Sequence, residues 1–271
     1  MKSIRNDREM PITAAALQHV IKNTFVDSAE HHQSLASTND YGITQARTQN
    51  KPAANAVHLI YTESQTHGRG RGNNHWLSAP GSLTFSLLVS RPQASATVAS
   101  LQSAVAIAKA CSAYANHAAV RVKWPNDIYL ENRKLGGILI ESPANTDRWI
   151  IGIGINVNNK TKNLEEGGAN PIALADIADS VVNREDFLHL LLKNRGDVWN
   201  CPNAMTAAPA DWDTWCLLRG KAVVIEREES SLSGICRGID TSGNLLVEES
   251  FSANAPSRLH ALASIKNIRW A

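Results

Sequence analysis

The sequence is poor in the features that announce a disulfide scaffold, a metal site or an electrostatic partner. Its four cysteines, Cys111, Cys201, Cys216 and Cys236, stand far apart, and there is no Cys-x-x-Cys. This argues against zinc ligation, a redox pair and a disulfide framework, and for free thiols in a reducing cytosol. Lys and Arg (27) nearly balance Asp and Glu (25), a formal net charge of +2. Charge therefore gives no reason to expect a nucleic acid or a membrane surface as partner. The N-terminus carries Lys2, Arg5, Arg8 and Glu9 and then only a short apolar stretch, Ala14–Leu17, too weak for a signal peptide. No segment approaches the ~20 apolar residues of a membrane span, so a cytoplasmic protein is expected. Gly-x-x-x-x-Gly-Lys-Ser/Thr is missing, since the one Gly-Lys pair, Gly220-Lys221, is followed by Ala222. Gly-x-Ser-x-Gly and His-Glu-x-x-His are missing too. His31-His32 is a tempting metal pair, but neighbours on a strand point to opposite faces.

What is present is ordinary globular material. The 271 residues are 43% hydrophobic and 19% charged, enough for one large domain with a small satellite. Helices are expected over 12–22, from Ser37-Thr38-Asn39 towards Gln49, over 94–116, and from Asn183 to Trp199. Strands are expected over 31–35, 56–61, 83–90, 120–124, 127–130, 134–141 (across a turn at Asn132-Arg133) and 149–157. Between Ser64 and Ala79 the chain turns polar and glycine-rich, a long loop of the kind more often functional than idle. Polar residues again dominate 158–170. After Leu218 short strands over 221–226, 232–239, 245–248 and 264–270 alternate with turns such as Ser242-Gly243-Asn244, the texture of a small β-barrel or sandwich. A boundary is expected near 219.

Four segments carry chemistry. From Gln65 to Trp76 the chain reads Gln-Thr-His-Gly-Arg-Gly-Arg-Gly-Asn-Asn-His-Trp. Glycines bring backbone amides close to a ligand, and Arg69 and Arg71 offer guanidinium forks for phosphate or carboxylate oxygens. The plainer reading is a flexible Arg-Gly linker. In Lys123-Trp124-Pro125-Asn126-Asp127 the proline ends a strand. Asn126 could read an adenine edge and Asp127 could hold Mg²⁺, although the segment taken alone is simply good turn chemistry. In Lys134-Leu135-Gly136-Gly137-Ile138-Leu139 a lysine opens an apolar strand whose glycines admit something against the backbone; a bulged hairpin explains it equally well. Gly152-Ile153-Gly154-Ile155-Asn156 looks like the start of a dinucleotide fingerprint, but no helix follows, so that assignment is rejected.

Any one of these is weak, but the ordered set, with Ser37-Thr38-Asn39 before it, resembles the catalytic domain of biotin–protein ligases. The C-terminal stretch, with Gly234 to Asp240 and Gly243, is similar to that family's SH3-like barrel, so the resemblance spans roughly 30–271. It implies an α+β fold: a mixed β-sheet with packed helices, of the class II synthetase-like kind, plus a small C-terminal SH3-like β-barrel. The divisions implied are an N-terminal extension (1–29), a biotin/ATP-binding catalytic domain (30–218) and the barrel (219–271). The implied reaction makes biotinyl-AMP from biotin and ATP, with Mg²⁺, and passes biotin to a lysine of a biotin carboxyl carrier protein or domain. A homodimer is left open.

The resemblance makes Lys134, Arg69 and Arg71 catalytic. It assigns biotin to Ser37, Thr38, Asn39, Gln65, Arg69, Gly70, Arg71, Lys134, Gly137 and Gly152, with the strands at Gly136-Gly137 and Gly152-Gly154 accepting the flat bicycle. Trp76, Asn126, Asp127 and Asn156 would meet ATP or the adenylate, with Asp127 as ligand or orienting group for Mg²⁺. No residue is identified as base for the acceptor lysine. The loop departs from the common bacterial pattern, in which two more basic residues and a glycine follow the second arginine. Here Gly72-Asn73-Asn74-His75 stand instead, closer to a Gly-Gly-Asn-x-Trp variant. About 30 residues precede the catalytic region, too few for a winged-helix DNA-binding domain, so repression is not expected. The rivals are a lipoate–protein ligase, which lacks the Gly-Arg-Gly-Arg loop, a non-catalytic biotin-binding regulator, and an Arg-Gly nucleic-acid module, which the near-neutral charge disfavours.

Overall fold

The computed structural model describes residues 10–48, 56–91, 94–161, 170–178, 180–193, 208–227, 230–249 and 257–270. Cys201 lies outside them. Three helices begin where a hydroxyl can accept from a free amide of the first turn. Thr13, Ser37 and Ser95 accept from the N–H groups of Ala16, Asp40 and Val98, each such cap being worth about 1 kcal/mol. They start α1 (Ala14–Asn23), α2 (Thr38–Arg47) and α3 (Ala96–Ser112). The third is shorter than the expected 94–116, because Ser95 caps it and Asn116 and His117 adopt φ of 44° and 67°, which no helix accommodates. Asn183 caps α4 (Arg184–Lys193), its Oδ1 accepting from Glu185 and Asp186 N–H. α2 stops at Arg47, with Thr48 as its extended C-cap, short of the expected Gln49, and the expected continuation of α4 to Trp199 falls outside the described residues.

Strands β1 (Ser28–His32), β2 (His58–Thr62), β3 (Leu83–Ser90), β4 (Val120–Lys123), β5 (Asp127–Leu130), β6 (Arg133–Glu141) and β7 (Arg148–Ile155) form one sheet in the order β1-β2-β3-β7-β6-β5-β4. Only β1 and β2 run parallel, so the sheet is mixed. β1 lies three residues before the expected 31–35. The parallel ladder ends at His32 opposite Thr62, and Leu35 keeps only an isolated bridge to Gln65. The β5–β6 turn is Glu131-Asn132, one residue earlier than expected. Both residues have positive φ, 50° and 60°, as a two-residue type I′ turn requires.

The two faces of this sheet differ sharply. One carries Leu59, Tyr61, Phe85, Leu87, Ile151, Ile153 and Ile155, all part of a large core shared with α1, α3 and α4. The other carries only a small apolar cluster of Leu88, Ile150 and Ala46, with Ile43 packed against it, under α2. Beside these, with Ile60 and Leu139, the face is largely polar or glycine, and it forms the floor of the site described below.

A four-residue helix α5 (Trp212–Trp215) precedes a second sheet of β8 (Ala222–Glu226), β9 (Ser231–Ile239), β10 (Leu245–Glu249), β11 (Arg258–Leu262) and β12 (Asn267–Trp270). Its order is β11-β10-β9-β8-β12, all antiparallel. β11 escapes the sequence reading because its Leu259 and Ala261 face solvent. The two sheets touch through named groups. The Trp124 indole donates to Gly243 O at 2.9 Å, Lys123 Nζ lies 4.5 Å from the Trp270 ring centroid, and Tyr129 meets Trp270 edge-on. The architecture is thus the expected α+β fold with a smaller β-unit. Among the described residues no helix is long and apolar enough to cross a membrane.

Candidate active site

Directly opposed residues on neighbouring strands share a face, and so do residues i and i+2 along one strand. The ladder therefore lays out the floor. Thr62 opposes Thr84, Thr84 opposes Gly154, Gly154 opposes Gly137, Gly137 opposes Asp127, and Asp127 opposes Lys123. One row across six strands thus runs from hydroxyls through two glycines to a carboxylate and an ammonium. The next row on the same face is Ile60, Ser86, Gly152 and Leu139; beyond it come Leu88, Ile150 and Glu141. The alternation Ile151-Gly152-Ile153-Gly154-Ile155 is the sequence trace of this division, isoleucine towards the core and glycine towards the site.

The glycines make room for side chains of the protein itself. A Cβ on Gly152 would overlap the Asn39 amide, and one on Gly154 would overlap the Trp76 indole. This corrects the expectation that Gly152 and Gly154 receive a ligand ring directly. Gly136 faces the other way, its missing Cβ blocked by the backbone of Gly154. A Cβ on Gly137 would press on Asp127 Oδ1 at 3.1 Å, with the Lys134 side chain at 3.8 Å.

The start of α2 stands over this floor. Thr38 N–H donates to Gln65 Oε1 at 2.7 Å, with Thr38 Oγ1 3.1 Å from the same oxygen. Ser86 Oγ lies 2.7 Å from Thr38 Oγ1 and 2.6 Å from Asn39 Oδ1. Asn39 Nδ2 donates to Leu139 O and to Glu141 Oε2. Both amide protons of Asn39 are thereby taken, and its remaining capacity is that of an acceptor. Ser37, Thr38 and Asn39 are all buried. Ser37 uses its hydroxyl as the helix cap, so it shapes this corner rather than offering a free group.

The Gln65–Trp76 stretch is more ordered than the open loop its composition implies. Gly70 N–H donates to Asn74 O at 2.7 Å, Asn74 N–H to Arg71 O, and Trp76 N–H to Gly68 O. Arg69 and His75 pair as an antiparallel bridge. The result is a small hairpin whose tip carries Gly72 at φ +60°. Gly68 is irreplaceable in this shape, since a Cβ there would strike Trp76 O and Gln65 Nε2, and Gly70 packs against Asn74. Trp76 is anchored by its Nε1 donating to Thr84 Oγ1 at 3.3 Å.

The two arginines separate. Arg69 grips Glu141 with both amino groups, at 2.9 and 2.7 Å, and Asp40 at 2.6 Å. The hydrogen bonds from Glu141 and Asp40, outweighing burial, push its pKa further up. With two carboxylates on one guanidinium, Arg69 is held in this arrangement by anions of the protein. Arg71 is exposed, and its only contact among the hydrogen bonds described is a long one to Asn126 Oδ1, 3.4 Å.

At the far end of the row Lys134 Nζ pairs with Asp127 Oδ1 at 2.8 Å, both partly exposed. Lys123 stands beside them, and burial pulls its pKa down, with Asp127 opposing that shift. Asn126 donates from Nδ2 to Ile138 O, so one donor of the amide expected to read adenine is already used. Asn156 is buried at the end of β7, its Oδ1 accepting from Asn159; it braces the loop after the strand. The fold therefore gathers Ser37, Thr38, Asn39, Gln65, Trp76, Asn126, Asp127, Lys134 and Gly137 around one floor. Ser86, Thr84, Asp40 and Glu141 belong there too and were not anticipated. Only Thr84 and Ser86 left a signal, as polar residues at alternate positions of an apolar strand. Among the described residues no cluster of three or more His, Cys, Asp or Glu could hold a metal ion.

Comparison with known proteins places this site in a family. Residues 32–158 match the Biotin/lipoate A/B protein ligase family, a span that contains the whole floor. The bifunctional ligase/repressor BirA of Bacillus spizizenii is 32% identical over 207 residues, 70% of this chain and 61% of that protein. The biotin–[acetyl-CoA-carboxylase] ligase of Paracoccus denitrificans is 28% identical over 210 residues, 72% of this chain and 86% of that protein. The chain thus spans about three fifths of the length of the BirA relative. Among solved structures, the biotin protein ligase from Aquifex aeolicus in complex with biotin and ATP aligns with a TM-score of 0.71 at 22% identity, over 90% of this chain and 99% of that one. That likeness gives the fold, and the sequence matches agree with it. The motif order, the site geometry and these matches point the same way: residues 32–158 match the biotin/lipoate A/B protein ligase family, and the chain is similar to relatives named biotin–protein ligases.

Proposed function

We propose that the protein is an ATP-dependent biotin–protein ligase. It would join biotin and ATP to biotinyl-5′-AMP with release of pyrophosphate, then pass biotin to a lysine of a biotin carboxyl carrier protein or domain. The observation that carries the proposal is the row from Thr84 through Gly154 and Gly137 to Asp127 and Lys123, with Lys134 beside it. It sets a neutral hydrogen-bonding corner at one end and cations at the other. That polarity suits a ligand with a neutral ureido ring and an anionic carboxylate.

Biotin carboxylate and triphosphate repel each other, so their approach depends on fixed positive charge. Lys134 is assigned to the carboxylate and α-phosphate oxygens. Arg71, with its guanidinium largely uncommitted, is assigned to cover the same oxygens from the hairpin, and Arg69 to hold that hairpin in place. Asn39, Thr38 and Gln65 are assigned to the ureido group, in the pocket shaped by Ser37, Gly70 and Gly152. Trp76, Asn126 and Asn156 would line the adenylate side. A single carboxylate, Asp127, fits Mg²⁺ that arrives on the phosphates, a mode in which one or two protein carboxylates suffice; the ion would neutralise phosphate charge when bound. Closing the hairpin over the mixed anhydride would keep water away from it. The division at 30 and 219 into extension, catalytic domain and barrel is part of the same proposal.

The test is ATP–pyrophosphate exchange by the purified protein with Mg²⁺, run with biotin, with lipoate and with neither. Exchange with biotin alone is expected. Exchange with lipoate alone moves the chain to the other branch of its family, and no exchange from protein that binds biotin replaces the enzyme by a regulator.

A further inference from the structure

We propose that Glu141 is a positioning residue that couples the ureido corner to the glycine–arginine hairpin. The proposal rests on the reading of this face as the biotin and ATP site. Glu141 ends β6, and its carboxylate is divided between two partners. Asn39 Nδ2 donates to Oε2 at 2.7 Å, while Arg69 donates to Oε1 at 2.9 Å and to Oε2 at 2.7 Å.

Each contact fixes something different. A carboxylate only accepts, so an Asn39 amide turned end for end would set Oδ1 against Glu141, anion against carbonyl. Glu141, together with the Leu139 carbonyl, therefore sets the polarity of Asn39: Nδ2 towards the strand end, Oδ1 towards Ser86 and the floor at Gly152. An acceptor presented there complements the N–H groups of a cyclic urea. The paired, planar contact with Arg69 is geometrically specific. Arg69 bridges to His75 at the base of the hairpin, so this contact sets where the hairpin, and with it Arg71, stands. Asp40 supplements the grip at 2.6 Å. One carboxylate thus makes the geometry of the neutral corner and the position of the cationic cover depend on each other.

The experiment compares wild type, Glu141→Gln, Arg69→Gln and the double variant in two assays. The first is biotin-dependent ATP–pyrophosphate exchange, split into KM for biotin and kcat. Glu141→Gln is expected to raise KM by about tenfold or more, the scale of one lost charge-assisted hydrogen bond, because it removes the charged one of the two acceptors that orient Asn39. The double variant is expected to be no worse in KM for biotin than the worse single variant. The second assay is trypsin cleavage after Arg71 in ligand-free protein, expected to be several-fold faster once Glu141 is replaced. An unchanged KM with only a lower melting temperature would overturn the proposal, as would a double variant whose loss is the product of the singles. Failure of wild type to exchange with biotin would count against the functional reading alone. The trypsin arm needs no activity and would still decide: equal cleavage of wild type and Glu141→Gln overturns the coupling. Should Glu141→Gln fail to fold, Asp40→Asn loosens the same guanidinium and gives the same readout.

Discussion

Lys134 and Gly154 show how much of the proposed chemistry hangs on single groups. Lys134→Ala removes the cation that pairs with Asp127, and in the proposed mechanism it leaves two anions facing each other. Loss of adenylation by roughly 100-fold or more is expected, the scale of removing one preorganised charge-stabilising donor. Pyrophosphate exchange near the wild-type rate would remove Lys134 from its role. Gly154→Ala acts by steric means, because a Cβ would overlap the Trp76 ring. The indole must leave the floor, so Trp76 emission should shift and KM for ATP should rise, while the melting temperature changes little because the ring is only partly buried. Lys123 gives a pH signature. Burial lowers its folded-state pKa, so between that value and the unfolded ~10.4 the unfolded chain holds more protons, and stability from this group rises with pH across the window. Relative to Lys123→Met, the wild type should gain stability in urea titrations as the pH rises towards the unfolded-state value of ~10.4. A difference constant with pH would contradict the shift.

Among the elements, the hairpin and the α4 anchor lead to separate predictions. Arg71→Gly is expected to loosen retention of biotinyl-AMP without unfolding the hairpin, whose backbone bonds do not use that side chain. Released intermediate should increase stray biotinylation of bystander lysines; retention equal to wild type would count against it. The buried pair Arg184–Glu63, at 3.0 Å, ties α4 to the end of β2. Arg184 also donates to Tyr61 Oη, Ser82 O and Met10 O, while Glu63 accepts from Ile12 N–H. Replacing one partner strands the other in the interior, at a cost of about 3–5 kcal/mol. Arg184→Met should lower the urea midpoint accordingly, with activity per folded molecule retained. The Arg184 prediction could not be written from the sequence, because the partners of Arg184 lie more than a hundred residues away along the chain.

For the whole molecule, the contact between the two sheets is the feature that sequence patterns least suggested. Lys123 and Tyr129 of the large sheet meet Trp270 of the small one, and Trp124 reaches Gly243. Lys123 and Trp124 belong to the motif that gave the family resemblance, so the second sheet backs the cationic end of the site. Cys216 and Cys236, expected to be unrelated thiols, also come together at this junction. The hydrogen bond from Cys236 pulls the Cys216 thiol pKa down, a pairing that the missing Cys-x-x-Cys spacing did not reveal.

Local rules read well from the sequence. Ser37 and Asn183 are helix caps because a short polar side chain meets free amides wherever a helix begins. Isoleucine and glycine alternate from Ile151 to Ile155 because a strand with one face on a core and one on a site must alternate. The order of the family's motifs, too, is a property of the chain alone. What the chain could not specify is which groups already have partners. Arg69 and Arg71 are equivalent in sequence, yet one is clamped between Glu141 and Asp40 and the other is exposed. Gly152 and Gly154 were legible as space, but their occupants, Asn39 and Trp76, come from elements far away in sequence. Hydrogen-bond capacity and excluded volume are saturated by neighbours in space, and only the folded sheet, with α2 and the hairpin laid across it, determines who those neighbours are.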